Sequence, residues 1–255
     1  MSRAKSRRDS ILVCLLTGYA LSACGGAGAG KPPPASAADA RLAEPEPSVP
    51  EASELVRQGE AKLQQNDGAG ARELFAKALE AHPDDSRAAL DLGIALELLN
   101  DLPGAEAAYR KALQSNPGLA QAQNNLGVLL RDRGELKEAV TWLERAAQTA
   151  PDSSAAHQNL ALAYEDAGDL ARSGAEYARA LKITPDDAMT RANYGLLLLK
   201  QQDKAGAVRE LSRAREAAQG NRAALLAIGN GLRRAGATDG ALTAMEAALA
   251  EGTGP

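Results

Sequence analysis

From residue 52 onward, the amino-acid sequence repeats itself with a period of 34 residues. One position of the period carries a small residue in all six copies: Gly59, Gly93, Gly127, Ala161, Gly195 and Gly229. Two more small-residue positions begin at Ala71 and Ala78, and a position for a large residue begins at Phe75. Because no insertion shifts the register, we infer six copies of one structural unit that stack on one another.

The copy from 120 to 153 indicates what one unit is. Residues 121–132 and 135–147 each place apolar side chains at helical spacing, and Arg133-Gly134 between them is a turn. Pro151 ends the second helix, and Asp152-Ser153 supplies an N-cap for the next one. Each unit is therefore predicted to be a helix–turn–helix hairpin.

The recurring glycine needs an explanation, because a glycine inside a helix costs about 1 kcal/mol relative to alanine. Its return in five units out of six indicates a role in packing. We expect it to let the two helices of a hairpin approach closely. The large residue of the set that begins at Phe75 would then fill the space beside it.

Counted from 52, 86, 120, 154, 188 and 222, each unit has small residues at positions 8, 20 and 27 and a large residue at position 24. The first four units also have proline at position 32. This pattern resembles the signature of the tetratricopeptide repeat (TPR) family. The resemblance implies an all-α fold, a right-handed α-solenoid of six units that span 52–85, 86–119, 120–153, 154–187, 188–221 and 222–255.

The sequence finishes at Pro255, soon after the second predicted helix of the sixth unit. Solenoids normally protect their terminal faces with a polar surface. We therefore expect the last helix to leave a face uncovered, where the structure frays or takes a partner.

The first residues resemble the export signal of a bacterial lipoprotein. Basic residues between Arg3 and Arg8 precede an apolar run that is too short for a comfortable membrane span. Leu21-Ser22-Ala23-Cys24 follows, which is the order of residue types in a lipobox. The resemblance implies that residues 1–23 are a signal peptide. It also implies that Cys24 carries lipid, palmitate included, and anchors the protein in a membrane.

Residues 24–51 have the composition of a disordered tether. The stretch holds six of the twelve prolines of the chain, and four glycines lie at its start. Its few apolar side chains cannot offset the entropy of ordering. Gly25, not Asp, follows the cysteine. By resemblance to enteric lipoproteins, this implies the outer membrane of the cell envelope, with the repeats facing the periplasm.

In TPR proteins, unit positions 2, 6, 9 and 13 of the first helix help line a concave groove. Position 6 carries asparagine in three consecutive units: Asn125, Asn159 and Asn193. Their amides can donate to carbonyls and accept from N–H groups, as an extended peptide requires. The set is similar to the asparagine ladder in the TPR arm of O-linked N-acetylglucosamine transferases. The alternative is that asparagine is simply common at this position, and the sequence does not decide between the two.

Two further positions complete the predicted peptide-binding groove. The aliphatic residues at position 9 either receive apolar side chains of a partner or pack between neighbouring first helices. The charges at position 13 run from acidic to basic along the chain, which would orient a charged partner, although solvated surface charge explains them as well. These residues are Val128, Leu162 and Leu196 at position 9, and Asp132, Asp166, Lys200 and Arg234 at position 13.

The composition argues against two classes of function. The net charge of −4 argues against nucleic-acid binding, and two cysteines with two histidines leave few ligands for a metal. His82 and His157 have no nucleophile or carboxylate at motif spacing, so we expect no catalysis, no cofactor and no metal.

The favoured interpretation is a membrane-anchored envelope scaffold whose partner is a protein or an extended peptide segment. One alternative is a pilotin-like factor for secretin and type IV pilus assembly, because the order of signal, cysteine, tether and six units resembles such proteins. Another is a structural subunit that oligomerises through its C-terminal face. The oligomeric state itself is not predicted.

Overall fold

The computed structural model describes residues 52–218 and 221–250. The predicted signal peptide, Cys24 and the predicted tether lie outside the described residues. Within them the chain is all-α, with twelve helices and no strand. The helices are α1 (Ala52–Gln64), α2 (Gly68–Ala81), α3 (Ser86–Leu98), α4 (Leu102–Ser115), α5 (Ala120–Arg133), α6 (Leu136–Thr149), α7 (Ser154–Asp166), α8 (Leu170–Ile183), α9 (Ala188–Lys200), α10 (Lys204–Ala217), α11 (Arg222–Ala235) and α12 (Thr238–Ala250).

Every hairpin turns at the same place in the repeat. The residue at unit position 15 has a positive φ, between 59° and 90°, in Asn66, Asn100, Gly134, Gly168, Gln202 and Gly236. Three of these are glycine, which adopts this left-handed conformation without a steric cost, and asparagine tolerates it better than most residues. The turn predicted at Arg133-Gly134 is confirmed.

Short polar side chains cap the helix N-termini. Asp85 accepts hydrogen bonds from two backbone N–H groups at the start of α3, and Ser153 accepts one from Ala156 in α7. The caps satisfy N–H groups that the first turn of a helix leaves unpaired. Four aspartates do the same for second helices, each by accepting from the N–H three residues later: Asp67, Asp101, Asp169 and Asp203.

Within a hairpin the two helices cross at the recurring glycine. A methyl carbon added at Gly127 would lie 2.6 Å from Cγ of Leu143, and one added at Gly195 would lie 2.7 Å from Cγ of Leu211. Both distances are shorter than a carbon–carbon contact allows, so the residue at position 24 occupies the space that the absent side chain leaves. The packing role predicted for the glycine is confirmed.

The hairpins stack in chain order. The second helix of each hairpin packs against the first helix of the next, and α1, α5 and α9 also contact the following first helices α3, α7 and α11. One shared cluster joins Leu143 and Ala147 of α6 to Leu160 and Tyr164 of α7. Because each unit buries its apolar side chains against its neighbours, the fold is an all-α solenoid, as predicted.

The last helix presents an uncovered apolar surface. Leu242 and Leu249 of α12 are 60% and 63% exposed. The residues equivalent to Leu249 in the first two hairpins, Leu79 and Leu113, are only 7% and 6% exposed, because another hairpin follows there. The expectation of an uncovered face is therefore met.

Within residues 52–218 and 221–250, no helix is both long enough and apolar enough to cross a bilayer.

The close crossing makes a prediction about stability. Gly127→Leu forces a side chain into Leu143 and toward the carbonyl oxygen of Ala139, which lies 3.3 Å from the added carbon. We expect the free energy of unfolding to fall by about 1–3 kcal/mol in urea denaturation. The control is Gly174→Ala in α8, where the nearest atom lies 3.6 Å from the added carbon, and there we expect no loss. Unchanged stability of Gly127→Leu would contradict the packing account.

Candidate partner-binding face

The predicted groove residues share a surface that we call the first-helix face. It consists of unit positions 6, 9, 12 and 13 on α3, α5, α7 and α9, which recur on one side of a helix. Its residues are Asp91, Ile94, Glu97 and Leu98; Asn125, Val128, Arg131 and Asp132; Asn159, Leu162, Glu165 and Asp166; and Asn193, Leu196, Leu199 and Lys200.

Polar contacts between neighbouring first helices show that this surface is continuous. Nδ2 of Asn159 donates to Oδ1 of Asn124 at 2.9 Å, which joins α7 to α5. Nζ of Lys200 donates to Oε1 of Glu165 at 2.6 Å, which joins α9 to α7. Each pair is separated by 35 residues in the sequence, about one period.

The asparagines do not form a row of three equivalent amides. Asn159 is buried, with 4% exposed, and is bonded to Asn124, whose own Nδ2 donates to Oδ1 of Asn125 at 3.3 Å. Asn124 lies at position 5, a position that the sequence analysis did not consider. Nδ2 of Asn125 is fully buried, and the Asn125 side chain lies within hydrogen-bond reach of the Tyr109 hydroxyl. Among the described residues, Asn193 is half-buried and its side chain makes no hydrogen bond, so of the three asparagines this amide alone keeps free capacity.

The aliphatic residues at position 9 pack between helices. Val128, Leu162 and Leu196 are half-buried, and each packs against a core cluster. A carbon added at Gly231 of α11 would lie 2.9 Å from Cδ2 of Leu196, so this leucine touches the following first helix. Of the two interpretations offered for these residues, packing therefore has direct support, and the half-exposed part of each side chain still faces outward.

The sequence analysis missed unit position 12, where two glutamates each hold a buried tyrosine. The Tyr109 hydroxyl donates to Oε2 of Glu97 at 2.9 Å, and the Tyr177 hydroxyl donates to Oε2 of Glu165 at 3.2 Å. A buried phenol needs such an acceptor. The signal was present in the sequence: the units with tyrosine at position 24 have glutamate at position 12, whereas Leu143 accompanies Arg131.

Burial changes the acidity of this region. Burial raises the pKa of Glu97 to about 7; the Tyr109 hydroxyl opposes the shift and Asp132 adds to it. Burial also raises the pKa of Asp91 to about 6, although Arg87 lowers it. Nε of Arg87 contacts Oδ2 of Asp91 at 3.0 Å, while Oδ1 of Asp91 is buried without a hydrogen-bond partner. The first-helix face thus holds two carboxyl groups that are poorly solvated.

The charges predicted at position 13 are mostly engaged in ion pairs. Nη2 of Arg131 contacts Oδ1 of Asp132 at 3.0 Å, and its Nε lies 3.8 Å from Oδ2 of Asp166. Lys200 is bound to Glu165, as described above. Arg234 lies on α11 and is exposed. Carboxylates therefore dominate the face on α3, α5 and α7, and the predicted change from acid to base becomes strong only at α11.

A second polar cluster lies elsewhere in the hairpins. The sequence analysis found no carboxylate near His157 along the chain, but the hairpin brings Glu176, 19 residues later, to 2.7 Å from Nδ1. The other ring nitrogen lies 3.0 Å from the carbonyl oxygen of Pro151. In the next unit, Arg191 contacts Glu210 at 2.8 Å and donates to the carbonyl of Pro185. One ring nitrogen of His157 thus holds the turn that follows α6, and the other contacts α8.

No group of three or more potential metal ligands of the His, Cys, Asp or Glu types lies together in the described part of the chain. The first-helix face carries amides, carboxylates and aliphatic groups.

Comparison with protein families agrees with the helical-repeat fold described above. Three family models described as tetratricopeptide repeat match residues 56–120 and 195–254, residues 99–163, and residues 154–187. The chain is a tetratricopeptide repeat protein. The TPR fold is a scaffold for protein–protein interaction and is typically not catalytic. Among curated proteins, none matches this sequence.

Solved TPR structures resemble the protein at low sequence identity. PilF of Pseudomonas aeruginosa is 22% identical with a TM-score of 0.67, over 76% of this chain and 88% of PilF. PilW, a widely conserved type IV pilus biogenesis factor, is 18% identical with a TM-score of 0.68, over 76% of this chain and 90% of PilW. YrrB, a TPR protein with an unusual peptide-binding site, is 22% identical with a TM-score of 0.57, over 71% and 93%.

Glu97 of this TPR protein provides a test of the buried carboxyl groups. Its pKa is raised from 4.5 to about 7, so the folded state keeps a proton that the unfolded state has released, and stability falls as the pH rises from about 4.5 to 7. Glu97→Gln removes this titration and keeps an oxygen for Tyr109. We expect the variant to be more stable than the unsubstituted protein at pH 8, by up to about 3 kcal/mol, and equally stable at pH 4.

Urea denaturation at both pH values measures this difference. Glu246→Gln on α12, where the side chain is exposed, is the matched control and should change stability little at either pH. A stability difference for Glu97→Gln that is the same at pH 4 and pH 8 would contradict the assignment.

Proposed function

We propose that this TPR protein is a lipid-anchored scaffold of the bacterial cell envelope that holds a segment of a protein partner along the first-helix face. The observation that carries the proposal is the continuity of this face across α5, α7 and α9, where hydrogen bonds join side chains of neighbouring first helices. The half-buried amide of Asn193, which makes no hydrogen bond within the described residues, can pair with an arriving peptide group.

The spacing of the helices suits an extended segment. Packed helices lie about 8–10 Å apart, and an extended chain advances about 3.3 Å per residue. Each first helix therefore meets about three residues of the partner. The amide of Asn193 at position 6 can bond its backbone without reading its sequence, and the charges at positions 12 and 13 can select side chains.

Features of the N-terminal sequence support a lipid anchor. A basic start, a short apolar run and Leu21-Ser22-Ala23-Cys24 support lipidation at Cys24, and the proline-rich residues 24–51 give the repeats room to move away from the membrane. Gly25 after the cysteine supports the outer membrane, with the repeats in the periplasm.

The partner-binding part is tested by replacing Asn125, Asn159 and Asn193 together with alanine. We expect the epitope-tagged variant to lose at least one crosslinked partner that the unsubstituted protein captures in cells. The control is Gln148→Ala, which removes an exposed amide from the second helix α6. If the triple variant keeps its helical circular dichroism and every captured partner, the first-helix face is not the binding surface.

The anchoring part is tested by Cys24→Ser. We expect the variant to leave the membrane fraction or to remain unprocessed, and to incorporate no labelled palmitate. Cys14→Ser, within the predicted signal peptide, should still incorporate it. Labelling of the Cys24→Ser variant would show that the anchor lies elsewhere.

Two alternative functions are separated by the identity of the captured partner. A pilotin-like role in type IV pilus assembly is supported by the fold shared with PilW over 76% of this chain, and its partner would be a secretin. A structural subunit that oligomerises through its C-terminal face is supported by the exposed Leu242 and Leu249. Its partner would be a second copy of this chain, and Leu242→Glu would abolish the capture.

A further inference from the structure

The first-helix face carries a repeated pair of groups that the proposed function leaves unassigned. Val128 and Asp132 lie four residues apart on α5, and Leu162 and Asp166 lie four residues apart on α7. Residues four apart on a helix are neighbours on its surface, with their Cβ atoms about 5–6 Å apart. Each helix therefore presents an aliphatic patch with a carboxylate one turn further along.

The carboxylates of these pairs are accessible. The side chain of Asp166 is 56% exposed and that of Asp132 is 27% exposed. Both contact the guanidinium of Arg131, whose side chain is only 16% exposed. One buried cation between two more accessible acids leaves the outer surface negative.

The groups beneath add to this negative character. Glu97 and Glu165 accept hydrogen bonds from buried tyrosines. Lys200 of α9 pairs with Glu165, and Arg87 pairs with the fully buried Asp91. Four carboxylates and one guanidinium occupy positions 12 and 13 of α3, α5 and α7, so the acids still outnumber the cations there after the Lys200 pair is counted. An acidic or neutral segment would meet repulsion or uncompensated desolvation here, whereas a basic one would meet complementary charge.

We propose that the α3–α7 part of the first-helix face binds a basic segment of the protein partner, with the alkyl stems of Lys or Arg side chains on Val128 and Leu162 and their cationic heads at Asp132 and Asp166. This inference rests on the proposed function and names the chemistry of its partner. Lys and Arg fit because each joins an apolar stem to a terminal charge.

The geometry also sets the spacing of the basic residues. The two pairs sit on adjacent first helices, α5 and α7, which contact each other directly. Packed helices are about 8–10 Å apart, and a polyproline II segment rises about 3.1 Å per residue and returns its side chains to the same face every third residue. Successive cations therefore fall on every third residue of the segment. A run of Lys-X-X-Lys in a partner segment of polyproline II conformation is the predicted ligand.

The test measures peptide binding to the full chain in detergent by fluorescence anisotropy. The probes are two labelled nine-residue peptides, Lys-Ser-Val repeated three times and Glu-Ser-Val repeated three times. We expect the basic peptide to bind at least about 10-fold more tightly than the acidic one, with an affinity that falls as salt rises. Equal binding, tighter binding of the acidic peptide, or no measurable binding of either overturns the inference.

A variant locates the binding. Asp132→Asn with Asp166→Asn should weaken the basic peptide at least about 10-fold. The matched control, Asp239→Asn with Glu246→Gln on α12, removes the same charge elsewhere and should change affinity less than about twofold. Equal losses in both double variants would show nonspecific attraction and overturn the site. Should the first variant lose helicity, the same comparison is made with Leu162→Ala, which removes the apolar surface where the stem is expected to lie. It should weaken the basic peptide, and an unchanged affinity would overturn the site.

Failure here is distinguishable from failure of the proposed function. A cellular partner that is lost on asparagine replacement but whose bound segment is acidic or uncharged overturns this inference alone. If the asparagine replacement leaves every partner bound, both the proposed function and this inference are wrong.

Discussion

The solenoid depends on the close crossing of two helices at a glycine. At Gly127 and Gly195 the space of one methyl group is already occupied by the leucine of the partner helix, so the helices of each hairpin sit closer than larger residues allow. This contact recurs every 34 residues, and with it recur the capping aspartates and the left-handed turn residue. A uniform hairpin stacks on the next one without adjustment, and this regularity places equivalent side chains on neighbouring first helices.

The same regularity determines what a partner can meet. A first helix displays positions 6, 9, 12 and 13 on one side. The residue types at those positions in successive units therefore decide the chemistry of the whole face. On α5 and α7 an amide comes first along the helix, an aliphatic residue next, and charged residues last. The tyrosines at position 24 link the hairpin core to the face, because their rings are buried and their hydroxyls reach the glutamates of the face. The ring of Tyr109 also fills the crossing at Gly93.

The fold could be predicted from the sequence almost completely, and the details of the candidate site could not. The period, the turn at Gly134 and the cap at Ser153 follow from short-range rules, and each was found in the structure. The pairing of Asn159 with Asn124, and of His157 with Glu176, depends on the contact between helices that the sequence separates by 35 and 19 residues. Spacing along one helix does not reveal which side chains of two helices meet. The tyrosine–glutamate pairs were an exception, because the two residue types occur together in the same units and are absent together from others.

Site-specific photo-crosslinking in living cells tests most directly whether the first-helix face is the binding surface. A photoreactive amino acid replaces Asp166, which is exposed on the first-helix face, or Thr141, which is exposed on the second helix α6. The account predicts a covalent adduct with a protein partner from position 166 and none from position 141. Adducts from position 141 alone would contradict it, because the partner would then dock on the opposite helices of the solenoid.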